Sequence, residues 1–286
     1  MLQPYFCLFT AGAALFLPFL GATPALASSP VTFVSGRGAD TGACASPAAP
    51  CRSFKFALGQ TSPGGEIKAL DPADYGGVTI TKSISLTGVE GASINLESGD
   101  HITINAGPDD TINLSRLTLD GFKTAGNGIV LGSGGLLTIT HCVVRNFADQ
   151  GIVLQPTGLT KFLIGDTLVS DNEGTAIAVA PQGAGSIQGT FDHVSANKNG
   201  QGITVTGFAT SGVPIDVSVV DSMVTNNSIG FGAGPRGLLR LAGSAAARNN
   251  TGVFINTGAT VESAIDNLIN GNDTDVSGEL TNIHTQ

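Results

Sequence analysis

The sequence predicts an all-β fold in which the chain winds as a single-stranded parallel β-helix with three short strands in each coil. Three observations predict this fold: a repeat of about 25 residues, a two-residue alternation of apolar and polar side chains, and turn residues between the alternating stretches. Glycine supplies 40 of the 286 residues, but without the three-residue period of collagen.

The repeat is defined by one apolar anchor residue in each coil. The first four anchors are spaced 25 residues apart, and the later spacings are 30, 23 and 22. The predicted anchors are Leu119, Val144, Val169, Val194, Val224, Ala247 and Ile269. A single coil cannot bury its own apolar side chains, whereas stacked coils bury one continuous core and hydrogen-bond each strand to its neighbours.

Each anchor strand is preceded and followed by another short strand. Leu137-Thr138-Ile139 and Val217-Ser218-Val219 are examples of the preceding strand, and Gly151-Ile152-Val153-Leu154 is an example of the following one. No repeat shows a helical pattern, which disfavours a leucine-rich or helical-pair solenoid.

The composition limits the possible partners. Only 12% of the residues are charged, against about 25% in an average domain, and the net charge is −9. Nucleic-acid binding requires a basic surface, so a nucleic-acid partner is not expected.

Residues 1–27 are predicted to be a signal peptide. An apolar run from Phe6 to Leu20 precedes Ala25-Leu26-Ala27, which fits cleavage before Ser28. No Lys or Arg precedes the run, so an uncleaved membrane anchor is the alternative. The prediction is a secreted or periplasmic protein whose mature chain has no membrane span.

Two of the four cysteines are predicted to form a disulfide. Cys44 and Cys51 are separated by six residues in a loop rich in Pro and Ala, and an oxidising compartment would favour a bond between them. Two free thiols are the alternative, and a metal site is not expected because no His lies nearby. Cys142 lies in an apolar strand pattern that predicts burial.

The stretch from Gly64 to Gly88 carries a resemblance to a known family. It contains Gly64-Gly65-Glu66-Ile67, Asp71-Pro72, Tyr75-Gly76 and the alternating run from Val78 to Gly88. With the coils that follow, it resembles the right-handed parallel β-helix (pectin-lyase-like) proteins, in particular secreted bacterial members of unassigned activity with a Cys-flanked leader. The resemblance covers about residues 31–276. The family includes lyases, hydrolases, esterases, adhesins and phage proteins, so the fold alone does not define a function.

The resemblance implies a short helical cap at the N-terminal end of the stack. Ser53-Phe54-Lys55-Phe56-Ala57-Leu58 is the matching segment, and it would cover the strand edge that an open stack exposes. The predicted organisation is a signal peptide (1–27), a leader with the disulfide loop and cap helix (28–65), and a β-helix domain (66–286).

A column of residues three positions before the anchors contains weak catalytic candidates. The column consists of Arg116, His141, Asp166, Phe191, Asp221, Ser244 and Asp266, with Asp192 offset by one. Equivalent residues stack about 4.8 Å apart, so Arg116, His141 and Asp166 would lie on successive coils. A His paired with a carboxylate could act as a general base. The alternative is a ladder of turn residues, since Asp, Asn and His tolerate left-handed backbone conformations.

A second column, rich in asparagine, follows the anchors. Stacked amides hydrogen-bond along a parallel stack, which gives them a structural role. They could also bond sugar hydroxyls, and the weak glycan-binding candidates are Asn146, Asn172, Asn197 and Asn226.

The family's enzymes place their chemistry on the outer face of one sheet. If that sheet is formed by the Gly-Ile-x-Val strands, its outward residues include no ionisable group: Val130, Gly132, Val153, Gln155, Ala178, Ala180, Thr204, Thr206, Gly232, Phe254 and Asn256. A glycoside hydrolase needs two carboxylates beside the bond it cleaves, and a lyase needs a base and usually a cation. The family's catalytic signatures are also missing from the sequence.

No cofactor or metal is predicted, apart from a weak possibility of calcium. Asp71-Pro72-Ala73-Asp74 and Asp109-Asp110 offer oxygen ligands, although Asp is common at turns.

The leading functional hypothesis is a β-helix that binds glycan or cell-surface polysaccharide, without assured catalysis. A polysaccharide lyase or glycoside hydrolase with an atypical site is the first alternative. A purely structural surface protein is the second.

Overall fold

The computed structural model describes Met1, residues 28–212 and residues 214–283. These residues form a right-handed parallel β-helix with three parallel sheets, one strand per sheet in each coil. All the strand pairings are parallel, and the strands of each sheet follow one another in chain order. The predicted fold class is confirmed.

The three sheets are called sheet A, sheet B and sheet C in the order in which a coil enters them. Sheet A has 11 strands: Ser29–Val34, Thr61–Ala69, Ile84–Thr87, Thr111–Ser115, Leu136–Thr140, Leu159–Gly165, Ser186–Asp192, Ile215–Val220, Leu238–Ala242, Thr260–Ala264 and Thr281–Ile283. Sheet B has 8: Ser93–Asn95, Thr118–Asp120, Val143–Arg145, Leu168–Ser170, Ser195–Asn197, Met223–Thr225, Ala245–Ala247 and Leu268–Ile269. Sheet C has 9: Val78–Ile80, Ile102–Asn105, Ile129–Ser133, Ile152–Leu154, Thr175–Val179, Gln201–Val205, Ile229–Ala233, Thr251–Ile255 and Thr274–Ser277.

The core is a set of apolar ladders along the axis of the helix. Ile152 pairs with Ile129 in the coil before it and with Ile177 in the coil after it, and all three are buried. An aromatic ring fits into the core where the paired residue is small. Phe162 pairs with Gly189, and the Phe162 ring centroid lies 4.9 Å from that of Phe191. A side chain at Gly189 would clash with the Phe162 ring.

The predicted register of the anchors is wrong in two coils. Val169 pairs with Ala196 rather than with Val194, and Ala246 rather than Ala247 pairs with Val224. The strand Ser186–Asp192 ends two residues later than the spacing of 25 predicts. Because side chains alternate with a period of two, the two-residue shift leaves the same residues facing inward, so the sequence pattern could not detect it. The error at Ala247 is one residue, and it arises because Ala245, Ala246 and Ala247 show no alternation; Ala246 is the buried one.

The cap helix spans Phe54–Gln60 and contacts the first strands of sheets A and C. The Ser53 side chain accepts a hydrogen bond from the backbone of Phe56, which satisfies a free N–H of the first turn. At the other end, the Lys82 ammonium donates to the carbonyls of Leu58 and Thr61. Phe54 and Leu58 are buried, so the helix packs its apolar face on the end of the stack.

The leader is continuous with the β-helix. Ser29–Val34 is the first strand of sheet A, paired with Thr61–Ala69, so a boundary between residues 65 and 66 does not separate two units. A disulfide joins Cys44 to Cys51, with their Cα atoms 5.3 Å apart. Cys142 is a buried free thiol, and burial raises its pKa to about 11.

No helix in the described residues is long and apolar enough to cross a membrane. Apart from Met1, the predicted signal peptide (residues 1–27), with Cys7, lies outside the described residues.

Candidate functional site

In six successive coils, the first turn, between sheets A and B, carries a left-handed residue, whereas the predicted Asp266 of the last coil is not left-handed. The six φ angles lie between 47° and 57°, and the residues are Arg116, His141, Asp166, His193, Asp221 and Gly243. His193 and Gly243 replace the predicted Phe191 and Ser244, because of the same register shifts. Phe191 is instead buried in the core. The left-handed backbone explains why Asp and His recur at this position.

The catalytic candidates are only partly brought together. His141 Nε2 lies 3.7 Å from Asp166 Oδ2, and both side chains are more than half exposed. Among the described residues, no salt bridge joins Arg116 to either of them. The His141–Asp166 pair lies on an open turn, outside the cavities described below, so its catalytic role stays a prediction.

The second turn, between sheets B and C, contains a buried asparagine ladder. The amide of each residue donates to the side-chain oxygen of the next, with N···O distances of 2.8–3.2 Å. The ladder consists of Asn172, Asn199, Asn227, Asn249 and Asn272. The same oxygens accept backbone N–H bonds from the preceding coil.

The four glycan candidates fall in different environments. Asn172 is 3% exposed within the ladder and is not available to a ligand, which corrects its predicted role. The other three lie at the surface, where Asn226 donates to Asn197 and Asn146 donates to Asp120. Glycan binding by Asn146, Asn197 and Asn226 stays a prediction. The sequence column mixed three positions: the buried ladder (Asn172), the left-handed turn residue (Asn146 and Asn226) and the end of a sheet B strand (Asn197).

The outer face of sheet C is almost free of charge. Within its described strands the ionisable residue is Asp275, in the last strand. Val130, Val153 and Ala178, which alternation directs outward, are only 7–9% exposed. The more accessible outward residues lie on both sides of this buried stretch, with Thr79 and Thr103 in the first coils and Thr204 and Phe254 in the later ones.

A groove of about 230 Å³ lies on the C-terminal part of this face. It is called the glycine groove and is lined by Gln201, Thr204, Val205, Thr206, Ile229, Gly232, Ala233, Gly234, Phe254 and Asn256. Gly232 pairs with Thr204 on one side and with Phe254 on the other, so the missing side chain leaves a gap between a hydroxyl and an aromatic ring. A Cβ atom at Gly232 would lie 3.1 Å from the Thr204 methyl group, which is too close for an undisturbed contact.

The glycine groove adjoins a second cavity and the loop that carries Phe208. Asn256 also lines an adjoining open cavity of about 480 Å³ with Thr257, Thr260 and Glu279. The loop after Thr206 carries Phe208, which is 84% exposed and donates its backbone N–H to the Thr206 hydroxyl. The groove thus has uncharged hydrogen-bonding groups, and exposed rings in its wall and in the adjacent loop.

The two predicted calcium turns have internal partners. The Asp71 carboxylate accepts hydrogen bonds from Tyr75, Gly36 and Ser35, and these bonds lower its pKa. The Asp110 carboxylate accepts from Ser83 and Gly107, with the same effect on its pKa. Both carboxylates therefore hold turns together, and calcium binding there stays a prediction.

The structure is similar to two solved structures with a TM-score above 0.5. It matches pectate lyase Pel9A with a TM-score of 0.62 and 12% sequence identity, over 89% of this chain and 80% of that one. It also matches the ORF18 protein of Geobacillus virus E2 with a TM-score of 0.54 and 12% identity, over 82% of this chain and 55% of that one. At this identity the likeness establishes the pectin-lyase-like fold alone. No family model and no curated protein matches the sequence.

Proposed function

We propose that the protein is exported and binds a neutral glycan in the glycine groove, without cleaving it. The observation that carries this proposal is the combination of an accessible aromatic ring, Phe254, with a floor of glycines and a rim of uncharged polar side chains. Sugar rings present an apolar face and hydroxyls at their edge. Phe254 suits the apolar face, and Thr204, Thr206 and Asn256 suit the hydroxyls.

The charge distribution supports a neutral glycan over a uronate polymer. The chain has a net charge of −9, and the groove residues include no Lys or Arg to neutralise a carboxylate. An anionic polymer would be repelled by the surrounding field. The same groove residues include no carboxylate that could act as a general acid or nucleophile, which supports binding without hydrolysis.

The proposal is tested by measuring binding to a panel of neutral and acidic polysaccharides, with cleavage followed in the same samples. Phe254→Ala should weaken binding of the best neutral ligand by about 2- to 12-fold, since an aromatic contact contributes ~0.5–1.5 kcal/mol. Leu159→Ala is the matched control, because it removes an exposed apolar side chain from sheet A, away from the groove.

Two results would contradict the proposal. One is equal weakening by Phe254→Ala and Leu159→Ala, which would place binding elsewhere or make it non-specific. The other is depolymerisation of a polysaccharide at enzymatic rates, which would favour the alternative of a lyase or hydrolase with an atypical site.

A further inference from the structure

A cluster of metal-ligating groups lies at the first turn, on a different edge of the molecule from the glycine groove. Asp192, His193 and Asp221 each offer one ligand atom, and all three atoms lie within 4.8 Å of one another. The cluster arises in the coil whose strand Ser186–Asp192 lies two residues later than the spacing of 25 predicts.

The fold brings these side chains together through the backbone. His193 and Asp221 occupy equivalent positions on successive coils, both in the left-handed conformation, with φ of 54° and 47°. Asp192 ends the preceding strand, so its side chain lies beside His193 in the same coil. A Cβ atom at Gly243, the next residue of the column, would clash with the Asp221 carboxylate, so the glycine gives that carboxylate its space.

The ring of His193 is already oriented. Its Nδ1 lies 2.6 Å from Asp192 Oδ1, so an ion that displaces the proton between these two atoms would take both of them as ligands. The side chains of His193 and Asp192 are 60% and 49% exposed, so an ion from solution has access. Within the described ranges, the salt bridges pair neither Asp192 nor Asp221 with Lys or Arg.

We propose that Asp192, His193 and Asp221 form a surface site for a divalent transition metal such as Zn²⁺. A mixed set of imidazole and carboxylate ligands suits Zn²⁺, Ni²⁺ or Co²⁺, whereas Ca²⁺ takes six or more oxygen ligands. Three protein ligands leave a coordination position for water or for a ligand atom from outside the protein. This site does not depend on glycan binding in the groove.

The experiment is calorimetric titration of the purified chain with Zn²⁺ alone. We expect one Zn²⁺ per chain, and a loss of affinity of at least about 10-fold in both His193→Asn and Asp221→Asn, since even an outer-shell partner contributes that much. His141→Asn is the matched control, because His141 has the same left-handed backbone but a single neighbouring carboxylate, Asp166. Asn tolerates this backbone conformation, so the variants should fold.

The readout is independent of any enzymatic activity. Thermal unfolding with and without Zn²⁺ should show a stabilisation in the wild type and in His141→Asn that His193→Asn lacks. Absence of Zn²⁺ binding overturns the proposal, as does unchanged affinity in either His193→Asn or Asp221→Asn. Equal loss in His141→Asn and His193→Asn would also overturn it.

Discussion

At the scale of single residues, His101 shows how burial favours the neutral form of an imidazole. The ring is fully buried and packs edge-on against Phe147, with ring centroids 4.7 Å apart. Its Nε2 lies 3.1 Å from the Leu96 nitrogen and 2.9 Å from the Asp120 carbonyl oxygen, while its Nδ1 is buried without a partner. Burial lowers the pKa of His101, although neighbouring carboxylates and the Asp120 carbonyl oppose this effect.

This pKa direction predicts a loss of stability in mild acid. Because the folded pKa is lower than the unfolded value of about 6.5, the stabilisation is complete above about pH 6.5 and decreases as the pH falls further. The free energy of unfolding should decrease by at most ~1.4 kcal/mol per pH unit from this group. Denaturant unfolding between about pH 7.5 and pH 5.5 measures the slope, which should be smaller in His101→Asn.

The comparison of wild type with His101→Asn isolates this contribution. Asp192 raises the pKa of the exposed His193, which acts in the opposite direction, but both proteins retain His193. Parallel pH profiles for the two proteins would show that His101 does not cause the slope.

At the scale of elements, the asparagine ladder fixes the turns between sheets B and C. Asn249 uses its whole amide: its oxygen accepts from the Asn227 backbone and side chain, and its nitrogen donates to the Val224 carbonyl and to Asn272. Asn199, Asn227 and Asn249 bond in the same way to the coils on both sides, whereas Asn272 bonds to the preceding coil and to Asp275. The ladder therefore links neighbouring turns, and it explains the recurrence of asparagine without any ligand.

Loss of one member should be costly. Asn249→Ala leaves the Asn227 donors and the Val224 carbonyl without their partner, and we expect a decrease of about 2–4 kcal/mol in the free energy of unfolding. Asn250→Ala is the matched control, because Asn250 is exposed and adjacent, and it should change stability by less than about 0.5 kcal/mol. Chemical denaturation of both variants gives the comparison. Similar effects for the two would contradict a structural role for the ladder.

At the scale of the whole molecule, the two ends of the stack differ. The N-terminal end is covered by the helix Phe54–Gln60, whose apolar face is buried. At the C-terminal end the inward Ile269 and Val276 are half-buried, and Ile265 and Leu268 are exposed. In a linear stack each coil is stabilised by its neighbours, so a coil with a neighbour on one side is less stable.

Hydrogen exchange should therefore proceed from the C-terminal end. We expect the amides of Thr274–Ser277 to exchange faster than those of Thr175–Val179, which have paired strands on both sides. Hydrogen–deuterium exchange followed by mass spectrometry measures both segments in one experiment. Equal protection of the two segments would show that the stack opens as one unit.

The sequence predicts which residues of the candidate site face outward, but not that they lie together in a groove. Thr204, Gly232 and Phe254 were correctly predicted to face outward, because alternation within a strand is a local property. The glycine groove itself depends on which residues pair across three coils, and pairing is not a local property. The sequence does not indicate that Gln201 lines the groove, since a polar residue at the start of a strand is common.

The sequence by itself determined the parallel β-helix, because a repeated alternation can bury its apolar residues only by stacking coils. The resemblance to the pectin-lyase-like proteins implied the cap helix in the segment Ser53–Leu58, and the structure has it at Phe54–Gln60. Only the tertiary structure decided the register of Ser186–Asp192, since a shift of two residues preserves the inward face. That register brings His193 next to Asp221, because the contact between them joins residues in successive coils.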